Sequence, residues 1–93
     1  MANIHDLAVG QVVFSKSGRD KGLPFIIVAV EGNFVFLADG KLRKLSRPKY
    51  KKCMHIQPVK FIDEEIRKKI MKLDGAFTGL LDADLRKALE PFL

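Results

Sequence analysis

Hydrophobic and polar residues alternate over short stretches in the first two-thirds of the chain, which is the pattern of half-buried β-strands. Turn signals such as Glu31-Gly32-Asn33 separate stretches that are rich in β-branched and aromatic residues. The run FIIVAV is apolar throughout, so we expect that strand to be buried on both faces. The sequence therefore predicts five short strands, at residues 11–14, 24–30, 34–38, 41–45 and 54–57.

The dipeptide Asp39-Gly40 is the strongest hairpin signal in the chain. Both residue types tolerate a positive φ, as a type I′ turn requires, so strand 41–45 should return directly beside strand 34–38. Leu42 and Leu45 would lie on opposite faces of a regular strand, which predicts a bulge or an early end near Lys44. Five short strands in fewer than fifty residues indicate a small barrel, because closure hides the strand edges.

After Pro58 the apolar residues take up helical spacing. Asp63 is a good N-cap, the stripe of the helix that follows is Ile62, Ile66, Ile70 and Leu73, and Gly75 should stop it. A second helix should be capped by Asp82 and carry the stripe Leu85, Ala88 and Leu89. We expect a mostly β fold with a C-terminal α part: a barrel over residues 1–60, and a helical appendage over 61–93 packed on the barrel or on a partner.

Positive charge is concentrated in the predicted β part. The chain has a net charge of +6, with residues 1–60 at +7 and residues 61–93 at −1. The segment KLRKLSRPKYKK, residues 41–52, holds seven of the seventeen Lys and Arg residues and no acid. Net charge alone is as compatible with solubility as with binding, but a basic run without acids favours a polyanionic partner.

The remaining composition favours a cytoplasmic protein. Cys53 is the single cysteine, so no internal disulfide is possible and a reducing compartment is expected. The N-terminus lacks the features of a signal peptide, and the longest apolar run, of seven residues, is too short to span a membrane.

The stretch SKSGRDKG, residues 15–22, has the glycines and cations of a phosphate-binding loop. A Walker A loop requires Gly-Lys-Ser/Thr opening into a helix, and a dinucleotide fingerprint requires strand, loop and helix. Here Gly22 is followed by Leu-Pro-Phe and a predicted strand, so neither nucleotide motif fits. An ordinary turn and a loop that grips a larger polyanion are the two interpretations left.

The same loop resembles a KOW motif. The pattern appears as Val13, Gly18, Lys21 and Gly22, followed by the β-branched run FIIVAV. GRDKG, ADGKLRKL and RPK, in this order and spacing, are similar to the bacterial KOW-domain RNA-binding proteins and to the fourteen-e family of large-subunit ribosomal proteins, over residues 7 to about 58. The resemblance implies an SH3-like barrel that binds structured RNA, most often ribosomal RNA of the large subunit. Ribosomal relatives carry longer, more basic extensions, so the slightly acidic residues 61–93 fit better a factor that visits the ribosome, or one whose helices engage a protein.

The predicted RNA contacts come from the loop and from the basic segment, which we expect to meet at one end of the barrel. Asp20 should cap its own turn or orient Arg19, and Tyr50 should stack on an unpaired base. The residues that shape the turns are Gly18, Gly22, Asp39 and Gly40. The predicted RNA-binding residues are Lys16, Arg19, Lys21, Lys41, Arg43, Lys44, Arg47, Lys49, Tyr50, Lys51 and Lys52.

Catalysis has little support in the sequence. Cys53 and His55 would share one face of a strand, but zinc needs three or four ligands and a Cys–His dyad needs a cleft with an oxyanion hole. We expect a structural role for this pair, no metal or cofactor, and no enzymatic activity. The alternative function is a protein-interaction module of the transcription or translation machinery, acting through the barrel or the C-terminal helices.

Overall fold

The computed structural model of the protein describes residues 7–71 and 79–93. Within these residues, five β-strands come first along the chain and two α-helices follow. The strands are β1 (Gln11–Ser15), β2 (Pro24–Glu31), β3 (Phe34–Ala38), β4 (Lys49–Lys52) and β5 (Ile56–Ile62). The helices are α1 (Glu64–Ile70) and α2 (Asp82–Leu89), and short 3-10 turns cover Cys53–His55 and Glu90–Phe92.

The described strands form one antiparallel sheet in the order β4-β3-β2-β1-β5. A five-stranded β part followed by two helices is therefore confirmed. Register shifts between Gln11 and Val13, and between Ile27 and Ala29, mark bulges, which increase the local twist of a sheet. The strands β4 and β5 form the two edges, so closure into a barrel stays a prediction.

Each face of the sheet carries its own hydrophobic core, because side chains alternate between faces along a strand. One core is contributed by the strands: Val13, Phe25, Ile27, Val35, Leu37 and Ile56. The other combines the strand residues Val12, Ile26, Val28 and Ala38 with the helix residues Ile66, Ile70, Leu85 and Leu89 and with Leu80, which precedes α2. Ile66 and Ile70 of α1 and Leu85 and Leu89 of α2 are thus buried against the sheet.

The predicted hairpin at Asp39-Gly40 is wrong. No residue other than glycine has a positive φ in the described part of the chain, so Asp39 does not form a type I′ turn. Its carboxylate Oδ1 instead accepts hydrogen bonds from the backbone amides of Lys41 (2.9 Å) and Arg43 (2.8 Å), which folds the chain into an irregular loop. Residues 41–45 are consequently not a strand, and the chain pairs with β3 only at β4.

The last strand and the helix starts also differ in part from expectation. The strand predicted at 54–57 begins at Ile56 and extends to Ile62, so the expected boundary between residues 60 and 61 falls inside β5. Asp63 is the N-cap of α1 as predicted, accepting from the amide of Ile66 at 3.1 Å. The N-cap of α2 is Leu81, one residue before Asp82, and the Asp82 carboxylate binds a loop instead.

The predicted end of the first helix, at Leu73 and Gly75, lies outside the described residues. Neither α1 nor α2 combines the length and the apolar character that a helix needs to cross a membrane.

Candidate nucleic-acid interface

The loop at residues 15–22 is a closed turn between β1 and β2. The amide of Gly22 donates to the carbonyl of Ser15 (2.8 Å), and the amide of Ser15 donates to the carbonyl of Leu23 (3.0 Å). Gly18 and Gly22 have φ angles of 81° and 86°, a region that glycine enters without steric cost. Both glycines therefore adopt a backbone conformation that the turn needs, and Lys16, Arg19 and Lys21 on this loop are exposed.

Asp20 ties this loop to the edge strand β4. Its Oδ1 accepts from Lys51 Nζ (2.9 Å) and from the hydroxyl of Ser15 (2.6 Å), and its Oδ2 lies 3.2 Å from Lys49 Nζ. Lys51 Nζ also donates to Ser15 Oγ (2.7 Å) and to the carbonyl of Ser17 (2.8 Å), so all three ammonium protons have acceptors. Asp20 neither caps its own turn nor orients Arg19; it joins loop and strand.

This network keeps Asp20 ionised. Burial by itself raises the pKa of the Asp20 carboxyl, but hydrogen bonds from Lys51, Ser15 and Lys49, together with the charge of Lys51, lower that pKa to about 2. The carboxylate charge is thus matched by an ammonium group in direct contact. Asp20 consequently does not oppose the approach of an anion as an isolated carboxylate would.

The loop at residues 39–48 is held by hydrogen bonds within its first half and by hydrogen bonds to helix α2. The amides of Asp39 and Gly40 both donate to the carbonyl of Arg43 (2.9 and 3.0 Å), while Asp82 of α2 accepts from the amide of Leu45 (2.7 Å). The Arg86 guanidinium donates to the carbonyl of Gly40. Helix α2 therefore holds the basic loop in place, a contact that sequence periodicity does not reveal.

The two loops meet at a cleft of about 310 Å³, which we call the basic cleft. Arg19 comes from the first loop, Arg43 from the second, and Lys49 from the start of β4, while Asp20, Phe25 and Leu42 complete the lining. The predicted meeting of loop and basic segment at one end of the sheet is therefore what the structure shows. Three cations thus line one concavity.

The other predicted contact residues do not line the basic cleft. The side chains of Lys16, Lys21, Lys44, Arg47 and Lys52 are exposed. Lys41 lies with Leu42 at an apolar groove of about 340 Å³ beside Leu89 and Leu93. Lys51 is only 7% exposed and its ammonium group is engaged by Ser15, Ser17 and Asp20, so it supports the loop from within.

Tyr50 is half exposed and belongs to an aromatic strip formed by Phe34, Phe36 and Tyr50. Its ring stacks on Phe36 with centroids 4.7 Å apart and 7° between planes, and it contacts Phe34 at 4.3 Å and 41°. The sequence predicts an RNA contact for Tyr50 but not its contacts with Phe34 and Phe36. The available signal was the spacing of Phe34 and Phe36, since residues i and i+2 share one face of a strand.

Cys53 and His55 lie in a 3-10 turn rather than on one face of a strand. Burial raises the pKa of the Cys53 thiol, so the reactive thiolate is disfavoured there. Residues 7–71 and 79–93 contain no group of three or more His, Cys, Asp or Glu side chains placed to hold a metal ion.

A comparison with protein-family models and with curated proteins finds no match to the chain. The resemblance to KOW proteins accordingly rests on the motifs at residues 13–22, 38–45 and 47–49 alone.

Proposed function

We propose that the protein binds structured RNA through the basic cleft and the exposed cations around it. The observation that supports this proposal is the convergence of Arg19, Arg43 and Lys49 from three separate chain segments. Surface cations that serve only solubility need no such convergence. Phosphate recognition requires convergence, because several cations must face one nucleic-acid backbone while the protein segments that carry them stay in place.

The chemistry of the cleft suits phosphate oxygens. Arg19 and Arg43 carry guanidinium groups that can donate two parallel hydrogen bonds to one phosphate, while Lys49 acts as a point charge. The Lys49 ammonium group has three protons, and its ion pair with Asp20, which also pairs with Lys51, uses only one of them. Lys49 can therefore still donate to a ligand. Lys16, Lys21, Lys44 and Arg47 add a wider positive field, which accelerates and strengthens association with a polyanion.

The resemblance to KOW proteins suggests which class of RNA is bound and a more specific description of the fold. It supports ribosomal RNA of the large subunit as the partner, and a ribosome-associated role. We also propose that the sheet is an SH3-like barrel of KOW type, in which β4 and β5 approach each other. The shared core of Val13, Ile27, Val35 and Ile56 supports this, because it draws residues of β1, β2, β3 and β5 onto one face.

Co-sedimentation with ribosomes on sucrose gradients tests this function. We expect the protein to migrate with the large subunit at low salt and to be released at high salt. The double variant Arg19→Glu/Arg43→Glu should stay at the top of the gradient. The matched control Lys60→Glu/Lys68→Glu, which reverses two exposed cations on β5 and α1, should still co-migrate.

Lys49 is left unchanged in these variants, because a glutamate at that position would face Asp20 and destabilise the fold. Equal migration of the two double variants would contradict the proposal. A wild-type protein that stays at the top at both salt concentrations would contradict it as well, and would favour a protein partner for the helices.

A further inference from the structure

At the β3–β4 edge, on the face of the sheet that also packs against the helices, aromatic rings lie beside a cation. In the register of the sheet Phe36 lies opposite Tyr50, and Phe34 lies opposite Lys52. Tyr50 is 50% exposed although its ring is stacked on Phe36. Tyr50 is thus a half-exposed ring, held in place at the sheet edge by Phe34 and Phe36, on which another flat ring can stack.

A second cleft adjoins the aromatic strip. It has a volume of about 310 Å³ and is lined by Asn33, Phe34, Lys52, Cys53 and Met54. The lining therefore combines an aromatic ring, a thioether, an amide and an ammonium group. This mixture suits a nucleobase, which has apolar faces and a polar rim, better than it suits a purely aliphatic side chain.

The charges around the strip set an orientation for such a base. Lys52 lies on the edge strand, and Glu31 lies opposite Phe34 on the inner side, at the end of β2. A phosphate would be attracted to the Lys52 side and repelled from the Glu31 side. The Glu31 carboxylate can instead accept from a base N–H group, so base and phosphate have separate preferred positions.

From this arrangement we propose that the aromatic strip binds one unpaired nucleotide of the RNA, with the base on Tyr50 and Phe34 and its phosphate at Lys52. The inference rests on the proposed RNA binding and narrows its substrate class: a structured RNA in which an unpaired base lies next to a backbone segment held in the basic cleft. Lys49 and Lys52 are the two ends of β4, about 10 Å apart at the rise of a strand. One RNA can therefore contact both sites by straddling the edge strand.

The direct test uses two RNA hairpins that differ by one nucleotide. One carries a single bulged 2-aminopurine in its stem, and the other has the same stem fully paired. The bulged hairpin should bind at least about fivefold more tightly, the lower end of what a base–aromatic stack contributes. Binding should also quench the 2-aminopurine fluorescence as the base stacks. Tyr50 is the single tyrosine and the chain has no tryptophan, so the change in tyrosine emission reports on this site directly.

Substitutions of Tyr50 and Lys52 distinguish stacking of an RNA base on the ring from simple apolar packing at this position. Tyr50→Leu keeps apolar bulk but loses the ring, so it should lose the preference for the bulged hairpin and the quenching while still binding the paired stem. Tyr50→Phe keeps the ring and should behave as the wild type. Lys52→Gln should weaken binding of the bulged hairpin, whereas Lys60→Gln, on the opposite edge strand, should reduce the affinity for both hairpins equally or not at all.

Equal affinity for the two hairpins, with no quenching and no effect of Tyr50→Leu on either, would overturn this inference and leave the proposed RNA binding intact. Failure of both hairpins to bind at low salt would overturn the proposed function and this inference with it.

Discussion

The Asp20–Lys51 pair explains how an acidic residue is accommodated inside a basic surface. Both side chains are buried, and each supplies the charge that the other needs. A buried ion pair contributes little net stability compared with an apolar pair, but loss of one partner leaves an uncompensated charge. The pair therefore fixes the loop at residues 15–22, which carries Arg19 and Lys21, against β4.

Asp20→Asn should lower the free energy of unfolding by about 3 kcal/mol, because it leaves the Lys51 ammonium buried without a counter-charge. Urea denaturation followed by circular dichroism measures this. The matched control Glu31→Gln removes an exposed carboxylate and should change stability by less than about 0.5 kcal/mol. Similar values for the two variants would show that Asp20 does not anchor the loop.

Because of Asp20, the stability of the folded protein should also depend on pH in the acidic range. Its pKa is about 2 in the folded protein, against an ordinary value of 3.8, so between these values the unfolded chain binds more protons. The contribution of Asp20 to stability is complete above pH 3.8 and is lost as the pH falls toward 2. The stability difference between the wild type and Asp20→Asn should accordingly narrow over that interval, and a difference that is constant from pH 5 to pH 2 would contradict this.

At the scale of elements, helix α2 and the loop at residues 39–48 act as one unit. Asp82 accepts from Leu45, Arg86 donates to Gly40, and the backbone of Gly40 lies against the carbonyl of Asp82. The φ of Gly40 is 77°, and an added Cβ would collide with that carbonyl. The position of Arg43 at the basic cleft thus depends on a helix that is remote in sequence.

Gly40→Ala should lower the free energy of unfolding by at least about 3 kcal/mol, because the clash of the added Cβ adds to the backbone cost of a positive φ. Gly22→Ala is the matched control, because Gly22 has a φ of 86° and no atom within 4 Å of an added Cβ. Gly22→Ala should lower the free energy of unfolding by only about 1 kcal/mol, because it has the backbone cost of a positive φ and no clash. Thermal unfolding distinguishes the two, and equal losses would show that the loop does not pack on α2.

Sequence patterns were informative where one local interaction decides the structure. The strands β2 and β3 follow from their apolar runs, and the start of α1 follows from the Asp63 cap. The segment Lys49–Lys52 has no hydrophobic alternation, because its buried position is filled by Lys51 paired with a loop residue thirty-one positions away. Asp39 misled the hairpin prediction because its side chain competes for backbone amides, which residue type alone does not reveal.

At the scale of the whole molecule, the two helices supply part of a hydrophobic core that the sheet alone does not form. Ile66, Ile70, Leu85 and Leu89 cover the face of the sheet that carries Val12, Ile26, Val28 and Ala38. A fragment of residues 1–60 would expose that face and would also lose the end of β5. Association of two helices with a sheet of this size is therefore expected to be required for folding.

The fragment 1–60 should accordingly lack a cooperative unfolding transition, whereas the full chain should unfold in one step. Urea titration of both, followed by circular dichroism, measures this. A milder change, Leu85→Ala in the full chain, should cost roughly 2–5 kcal/mol through the cavity it leaves. A fragment that unfolds cooperatively at the urea midpoint of the full chain would contradict a shared core.

The salt dependence of RNA affinity tests the central claim most directly. For binding of protein-free large-subunit rRNA measured by filter binding, log Kd should rise linearly with log salt concentration. Arg19→Gln/Arg43→Gln should weaken binding and reduce that slope by about 2, one unit for each phosphate contact removed. The control Lys60→Gln/Lys68→Gln, with the same loss of charge, should keep the wild-type slope. Identical slopes for the two double variants would contradict the account, because the positive charge would then act as a diffuse field and the basic cleft would hold no phosphate.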